Sequence, residues 1–296
     1  MIRLGLCCLF AKEPIKFYTT TATSLMKLRK DDALRKISSL CLRNAQSLQQ
    51  ALLYCRSNNI GSFRVNSQIL PLKTHPFVGY DVEKLPEAKE IIEAFKQCKL
   101  LLLENNLRIT FHPDQFILLS SPNEEVTKRS IADLNYQAQV SRWIGADVIN
   151  IHGGGAYGNK QLALEQVARN LKRLSKEVRS RLTFENDDKT YTPSDLLPLC
   201  KREGIPFVYD VHHHRCNPDT LSVEEVTKLA LATWKREPLF HISSPKEGWG
   251  GGNISSHHDY INVKDFPDCW REITMTVEVE AKAKELAVKR LYKYLA

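Results

Sequence analysis

The densest group of chemically capable side chains lies in the stretch 206–216, PFVYDVHHHRC, where Asp210, His212, His213 and His214 close a run of apolar and aromatic residues. Phe207, Val208, Tyr209 and Val211 follow Gly204 and Pro206, the pattern of a strand entered from a helix-ending turn. Alternation ceases where a chain leaves the ladder, so Asp210 and His213 can both turn toward one cation. Adjacent histidines cannot all bind one ion, and a solvated histidine-rich loop explains the motif equally well by itself. The metal reading therefore depends on what other strands deliver.

They deliver the same residue types in the same kind of place. The strand-like segments RITFHP (108–113), DVINIHGGG (147–155), LTFEND (182–187), PLFHISS (238–244) and ITMTVEVEA (273–281) carry His112, His152, Glu185, His241 and Glu280 toward their C-terminal ends. His75 falls in the loop after an earlier strand, SFRVNS (62–67), and His257 and His258 fall in the loop after PLFHISS. All nine histidines are thereby assigned to one rim, and the helical segments carry none. Singly, each has an ordinary explanation: a core histidine for His152, a capping carboxylate for Glu185, a solvated loop residue for His75 or His258. Jointly, so many acceptors on one face are costly unless cations neutralise them.

Six to nine such ligands exceed the needs of one ion. Two or three divalent ions of the Zn²⁺ or Mn²⁺ kind fit, with Co²⁺ as a further alternative. A site of this kind suits phosphodiester hydrolysis, in which one ion lowers the pKa of a water while others hold the phosphate and stabilise the leaving oxygen. Glu185 is central enough to bridge two ions, and Asp210 and Glu280 join it as candidate catalytic carboxylates. No P-loop or dinucleotide-binding glycine pattern is present. Glycines 153–155 and 250–252 sit in rim loops, where they make plain turns or let backbone approach phosphate.

The elements that must position these residues can be read from spacing. MIRLGLCCLF reads as a first strand, not a signal peptide, and AKEPIKFYTTTATS as a long first loop. From Asp31, the apolar positions Leu34, Ile37, Cys41, Ala45, Leu48, Leu52 and Cys55 recur at helical spacing. Further helices are expected over 87–106, 123–145, 161–179, 193–204 and 222–235, with another at the C-terminus; the segment between His241 and Ile273 is irregular. Eight strands separated by helices predict one α/β domain over 1–296, a single (β/α)8 TIM barrel with its active site at the C-terminal ends of the strands. An open doubly wound sheet is the alternative, and it would need a domain boundary that no linker supplies.

Composition narrows the function classes. With 43% hydrophobic and 26% charged residues the chain is not disordered, and no apolar stretch approaches the roughly 18 residues of a membrane span. Eight cysteines without a CxxC pair read as reduced thiols in a cytoplasmic protein. A net charge of +8 favours phosphate-rich partners, and Lys12, Lys16 and Lys246 in rim loops are candidates for backbone phosphates.

At HPDQF (112–116), NIHGG, FEND, YDVHHH, HISSP and VEAK the sequence resembles the UV damage endonuclease family, barrel enzymes akin to endonuclease IV. The correspondence runs from GLCC to VEVEAK. It implies a metal-dependent enzyme that nicks damaged double-stranded DNA 5′ to UV photoproducts, with abasic sites as a further substrate class; a monomer is expected. It also implies a ligand set of His75, His112, His152, Glu185, Asp210, His213, His241, His257 and Glu280, with His212 and His214 behind the ligands or on the rim. The family's lesion-probing pair falls on Gln115 and Phe116, an aromatic suited to wedge into a base stack. Two positions depart from the pattern. Leu239 stands where some members have a lysine that is taken to be carboxylated and to contact metal. Leu6 stands where an early aromatic is expected, with Phe17 and Tyr18 as substitutes. Two competing readings are a sugar isomerase or epimerase of the xylose-isomerase type and a DNA-binding barrel whose catalytic site has decayed.

Overall fold

In the computed structural model, which describes residues 2–295, eight short strands close into a barrel: β1 (Ile2–Cys7), β2 (Ser62–Val65), β3 (Arg108–Phe111), β4 (Val148–His152), β5 (Leu182–Glu185), β6 (Phe207–Asp210), β7 (Leu239–Ile242) and β8 (Met275–Val279). Each strand runs parallel to the next, and β8 pairs back onto β1 from Ile2↔Met275 to Leu6↔Val279. The expected (β/α)8 architecture is what is observed. Around it lie α1 (Ala22–Met26), α2 (Lys30–Ser57), α3 (Ala88–Glu104), α4 (Glu124–Ile144), α5 (Lys160–Leu171), α6 (Lys176–Arg179), α7 (Pro193–Glu203), α8 (Val211–Cys216), α9 (Val223–Leu231) and α10 (Glu285–Leu295).

Local chemistry accounts for the helix ends. Asn123 accepts from the Glu125 amide at the start of α4, and Gly145 ends that helix at a left-handed φ of 79° that disfavours a side chain. Thr192 with Asp195 and Ser222 with Glu225 form capping boxes for α7 and α9. The helix expected over 161–179 is two pieces, because the Ser175 hydroxyl takes the Val178 amide and begins a new turn. The long first loop likewise contains α1, capped by Thr21. The segment after β7 holds only two 3₁₀ turns, Val263–Asp265 and Asp268–Trp270.

One difference bears on the site. His212, His213 and His214 are not in a loop; they lie on α8, which leaves β6 without any intervening residue. Asp210 causes this turn by accepting the His213 backbone N–H at 2.8 Å, the geometry of an N-cap. The three-residue spacing of Asp210 and His213 is thus a capping spacing.

Strand alternation then decides what fills the barrel. Outward residues such as Phe63, Phe111, Ile149, Phe184, Phe207 and Phe240 belong to the apolar core shared with the helices. Facing inward, Val148, Val208 and Leu239 from β4, β6 and β7 meet as an apolar floor with Trp234 against it. Leu239, where some family members carry lysine, is therefore a buried plug under the site. Higher in the barrel come Thr110, Asn150, Thr183 and Glu278, and at its mouth Arg64, His112, His152, Glu185, Asp210 and His241. Polar residues at that depth require partners, and most of them have one.

Candidate metal centre

Glu185 stands at the middle of the mouth and is fully buried. Its Oε2 lies 2.9 Å from His112 Nε2 and accepts from the Asn150 amide. Its Oε1 lies 3.1 Å from His241 Nδ1 and 3.4 Å from His213 Nδ1. Asp210 Oδ2 is 3.5 Å from the same His213 nitrogen. Glu280, just past β8, places Oε1 at 3.4 Å from His241 Nδ1 and Oε2 at 3.8 Å from His257 Nδ1. The His112 and His152 rings are 5.1 Å apart between centroids. Three groups result whose ligand atoms lie within 4.8 Å of one another: His112–His152–Glu185, His112–His241–Glu280 and Glu185–Asp210–His213. His112 and Glu185 each belong to two of them.

The electrostatics show what the ring attracts. Burial pushes the Glu185 carboxyl up, but the imidazoles of His241, His152 and His112 outweigh it and hold the group well below the usual carboxylate range. Glu280, likewise opposed by burial, is held well below that range by Arg64 and His241. Burial would strip the protons from His213 and His241, yet Asp210 and Glu185 for the first, and Glu185 and Glu278 for the second, raise both well above the usual imidazole range. Burial, reinforced by His112 and His213, lowers His152 despite Glu185 beside it. The carboxylates thus draw positive charge into the ring, from protons or from cations that compete with them.

In the ring, the buried atoms His152 Nδ1, Asp210 Oδ2 and His241 Nε2 make no hydrogen bond among the described residues, and neither does Glu278 Oε2 beneath it. Unsatisfied buried acceptors of this kind are rare unless another group engages them. Imidazole nitrogens and carboxylate oxygens are the donor set that Mn²⁺, Zn²⁺ and Co²⁺ accept, so the residues present fit divalent ions.

The expected residues do not all converge. His112, His152, Glu185, Asp210, His213, His241 and Glu280 are brought together, and His257 joins at the edge through Glu280. His75 lies outside the three groups; its Nδ1 takes the Phe77 and Val78 amides at 3.2 and 3.4 Å, in a cleft it shares with Asp114. His214 is buried and tied to Tyr209 Oη at 2.7 Å and Asp219 at 3.1 Å, a fold-supporting role. His212 is buried between Trp249 and His257, 5.3 Å from each ring. Gln115 and Phe116 are exposed, Phe116 at 71%, so Phe116 is not a core aromatic. Lys12, Lys16 and Lys246 are exposed too.

Residues missed from sequence include Arg64, whose Nη1 lies 2.6 Å from Glu280 Oε1, and Glu278, buried beneath His241. Lys282 and Lys284 line the cleft beside His257 and Glu280. The signal for Glu278 is strand alternation, which puts it on the same face as Glu280.

The family model described as UV-endonuclease UvdE matches residues 2–296. The chain belongs to the UV-endonuclease UvdE family. The UV DNA damage endonuclease of Bacillus mycoides (strain KBAB4) is 36% identical over 284 residues, spanning 92% of this chain and 87% of the relative. That of Bacillus thuringiensis subsp. konkukian (strain 97-27) is 35% identical over 289 residues, spanning 94% and 89%. The crystal structure of SacUVDE matches with a TM-score of 0.88 at 27% identity, covering 100% of this chain and 98% of that one. Endonuclease IV from Thermus thermophilus matches with a TM-score of 0.63 at 13% identity, covering 99% and 98%. D-psicose 3-epimerase from Clostridium cellulolyticum H10 matches at 0.58 and 12%, covering 83% and 90%. At such identities the last two likenesses show the fold alone. As a UvdE-family member the protein is a DNA-repair endonuclease, as the motifs implied, and no helix among the described residues is long and apolar enough to cross a membrane.

Proposed function

We propose that this single barrel incises duplex DNA on the 5′ side of UV photoproducts with the help of two or three divalent ions, Mn²⁺ foremost, held at the mouth of the barrel. The observation that carries this reading is the double membership of Glu185, one buried carboxylate facing the imidazoles of His112, His213 and His241. Bound ions supply the charge that activates water near neutral pH and offsets negative charge growing on the phosphodiester.

The chain's own residues prepare that chemistry. Glu185, Asp210 and Glu280 keep carboxylates at the mouth, and His112, His152, His213 and His241 complete the ligand set. His257 extends it toward the rim, and His75 stands outside the three groups. Arg64 fixes Glu280 by a 2.6 Å charge-assisted hydrogen bond. The exposed Phe116 and its neighbour Gln115 meet the base stack at the damaged site, where an aromatic wedge offsets lost stacking. Lys12, Lys16, Lys246, Lys282 and Lys284 offer cations to phosphates around the mouth, consistent with the net charge of +8.

The test is an incision assay with metal-stripped protein on duplexes carrying a cyclobutane dimer, a 6-4 photoproduct or an abasic site, with Mn²⁺, Co²⁺ and Zn²⁺ titrated. Nicking 5′ to a photoproduct that appears only on adding metal is the expected result. Nicking indifferent to chelator, or none on any photoproduct, overturns the proposal.

A further inference from the structure

We infer that Glu278 is a positioning residue that braces His241 and, through Arg64, Glu280 for metal binding. The inference rests on the metal reading above and concerns a residue outside that ligand set. Glu278 lies on β8 two residues before Glu280, which follows the strand, so it points into the barrel on the same side but deeper. It is fully buried. Its Oε1 accepts the Thr110 hydroxyl from β3. Its Oε2 lies 3.0 Å from His241 Nε2 and 3.3 Å from Arg64 Nη1; the His241 contact is close but not aligned as a hydrogen bond, so Nε2 and Oε2 are left facing each other without another hydrogen-bond partner among the described residues.

The His241 ring is therefore spanned by acids on both sides. Nδ1 faces the ligand cluster, 3.1 Å from Glu185 Oε1 and 3.4 Å from Glu280 Oε1, while Nε2 faces Glu278. An imidazole that ligates through one nitrogen carries a proton on the other, and that N–H needs an acceptor to fix tautomer and ring orientation. Glu278 is the acid on that side. The same Arg64 nitrogen lies between Glu278 and Glu280, so one carboxylate steadies two members of the His112–His241–Glu280 group.

The neighbouring strand leaves room for it. A Cβ on Gly5 would come within 3.0 Å of Glu278 Cγ and 3.3 Å of Ser62 Cβ, so a side chain at position 5 would crowd the acid. Glu278 acts as a brace and not as a ligand, because its Oε2 lies on the Nε2 side of the ring, away from Glu185 and Glu280.

The test compares full-length wild type with Glu278→Gln and Glu278→Asp, stripped of metal and titrated with Mn²⁺ by calorimetry at one pH, alongside thermal unfolding of the metal-free forms. Histidine ¹⁵N spectra of the zinc-loaded proteins report which His241 nitrogen carries the proton. Glu278→Gln is expected to weaken Mn²⁺ binding roughly 10- to 100-fold. The loss should be confined to the ions held by His241, sparing the Glu185–Asp210–His213 group, and the His241 nitrogens should lose their single tautomeric pattern. Glu278→Asp keeps a charge for Arg64 while withdrawing from His241; it gives the same direction of change and carries the test if the glutamine variant does not fold. Wild-type affinity with unchanged His241 signals in a folded variant overturns the inference. A wild type that binds no divalent ion overturns the metal reading and this inference together, and is recognised without either variant.

Discussion

Arg64 Nη1 lies 2.6 Å from Glu280 Oε1 within the barrel, joining the middle of β2 to a carboxylate at the exit of β8. Removing Arg64 is costly, because it takes the guanidinium from two carboxylates at once, Glu280 and the fully buried Glu278. Arg64→Leu is expected to destabilise the metal-free protein by about 3–5 kcal/mol. Urea unfolding of the stripped protein measures this; a change near zero would show that the pair is not coupled to folding.

The pH dependence follows from the directions of the shifts. His213 and His241 are raised in the fold despite burial, so the stability they contribute to the metal-free protein is complete below an unfolded pKa of about 6.5 and is lost as pH climbs through their folded values. Glu185 and Glu280 run the other way: their contribution is present above about 4.3 and is lost as pH falls through their depressed folded values. Under the proposed ligand set both imidazoles must be neutral to bind metal, so Mn²⁺ would compete with two protons. The rise in Tm on adding Mn²⁺ is expected to be larger at about pH 8 than at about pH 6. Equal rises at the two pH values would count against His213 and His241 as ligands.

Phe116 is 71% exposed and its truncation removes little packing. Phe116→Ala is expected to leave stability within about 0.5 kcal/mol of wild type. If the ring stacks on a base, affinity for a dimer-containing duplex falls roughly ten- to hundredfold, the scale of about 1–3 kcal/mol per stacked base. Fluorescence anisotropy with damaged and undamaged duplexes separates the two; unchanged affinity for damaged DNA removes Phe116 from the interface.

Glu285, buried at the start of α10, accepts the backbone N–H groups of Ala11 and Lys12 at 2.7 Å each and of Glu13 at 3.4 Å. It ties down the first loop, which carries Lys12 and Lys16. Glu285→Ala strands those donors and is expected to cost about 1–3 kcal/mol. Limited proteolysis should cut the loop faster and DNA affinity should fall, with Mn²⁺ binding retained. Unaltered cleavage of the loop would contradict this.

The barrel is legible in the sequence because each strand and helix announces itself by period and by caps such as Thr192–Asp195 and Ser222–Glu225. Seven of the nine expected ligands converge, and six of them do so for the same reason: a residue at or just past the end of a parallel strand has its position set by the sheet, whereas His213 is placed by the turn that Asp210 caps. His75 is not placeable in that way, since its loop is shaped by long-range bonds such as Asn44 Nδ2 to Ile69 O and Tyr136 Oη to Ser67 O. Helix α8 is hidden because three histidines carry no helical pattern, and the Asp210 that caps it has the chemistry of a ligand as well. Glu278 escapes a reading that attends to strand ends, although TMTVEVE alternates it with Glu280. Leu239 stands out as a departure from the family pattern, but only its contact with Val148 and Val208 identifies it as the floor of the barrel.

The central claim is that Glu185 ties the metal groups to one hydrolytic site, and the most direct measurement is the metal content and incision activity of Glu185→Gln side by side with wild type. Wild type is expected to hold two or three divalent ions per chain and to nick a dimer-containing duplex 5′ to the lesion. The variant should lose at least one ion and the nicking together while keeping its fold by circular dichroism. A variant that stays folded and still nicks at the wild-type rate would contradict the account.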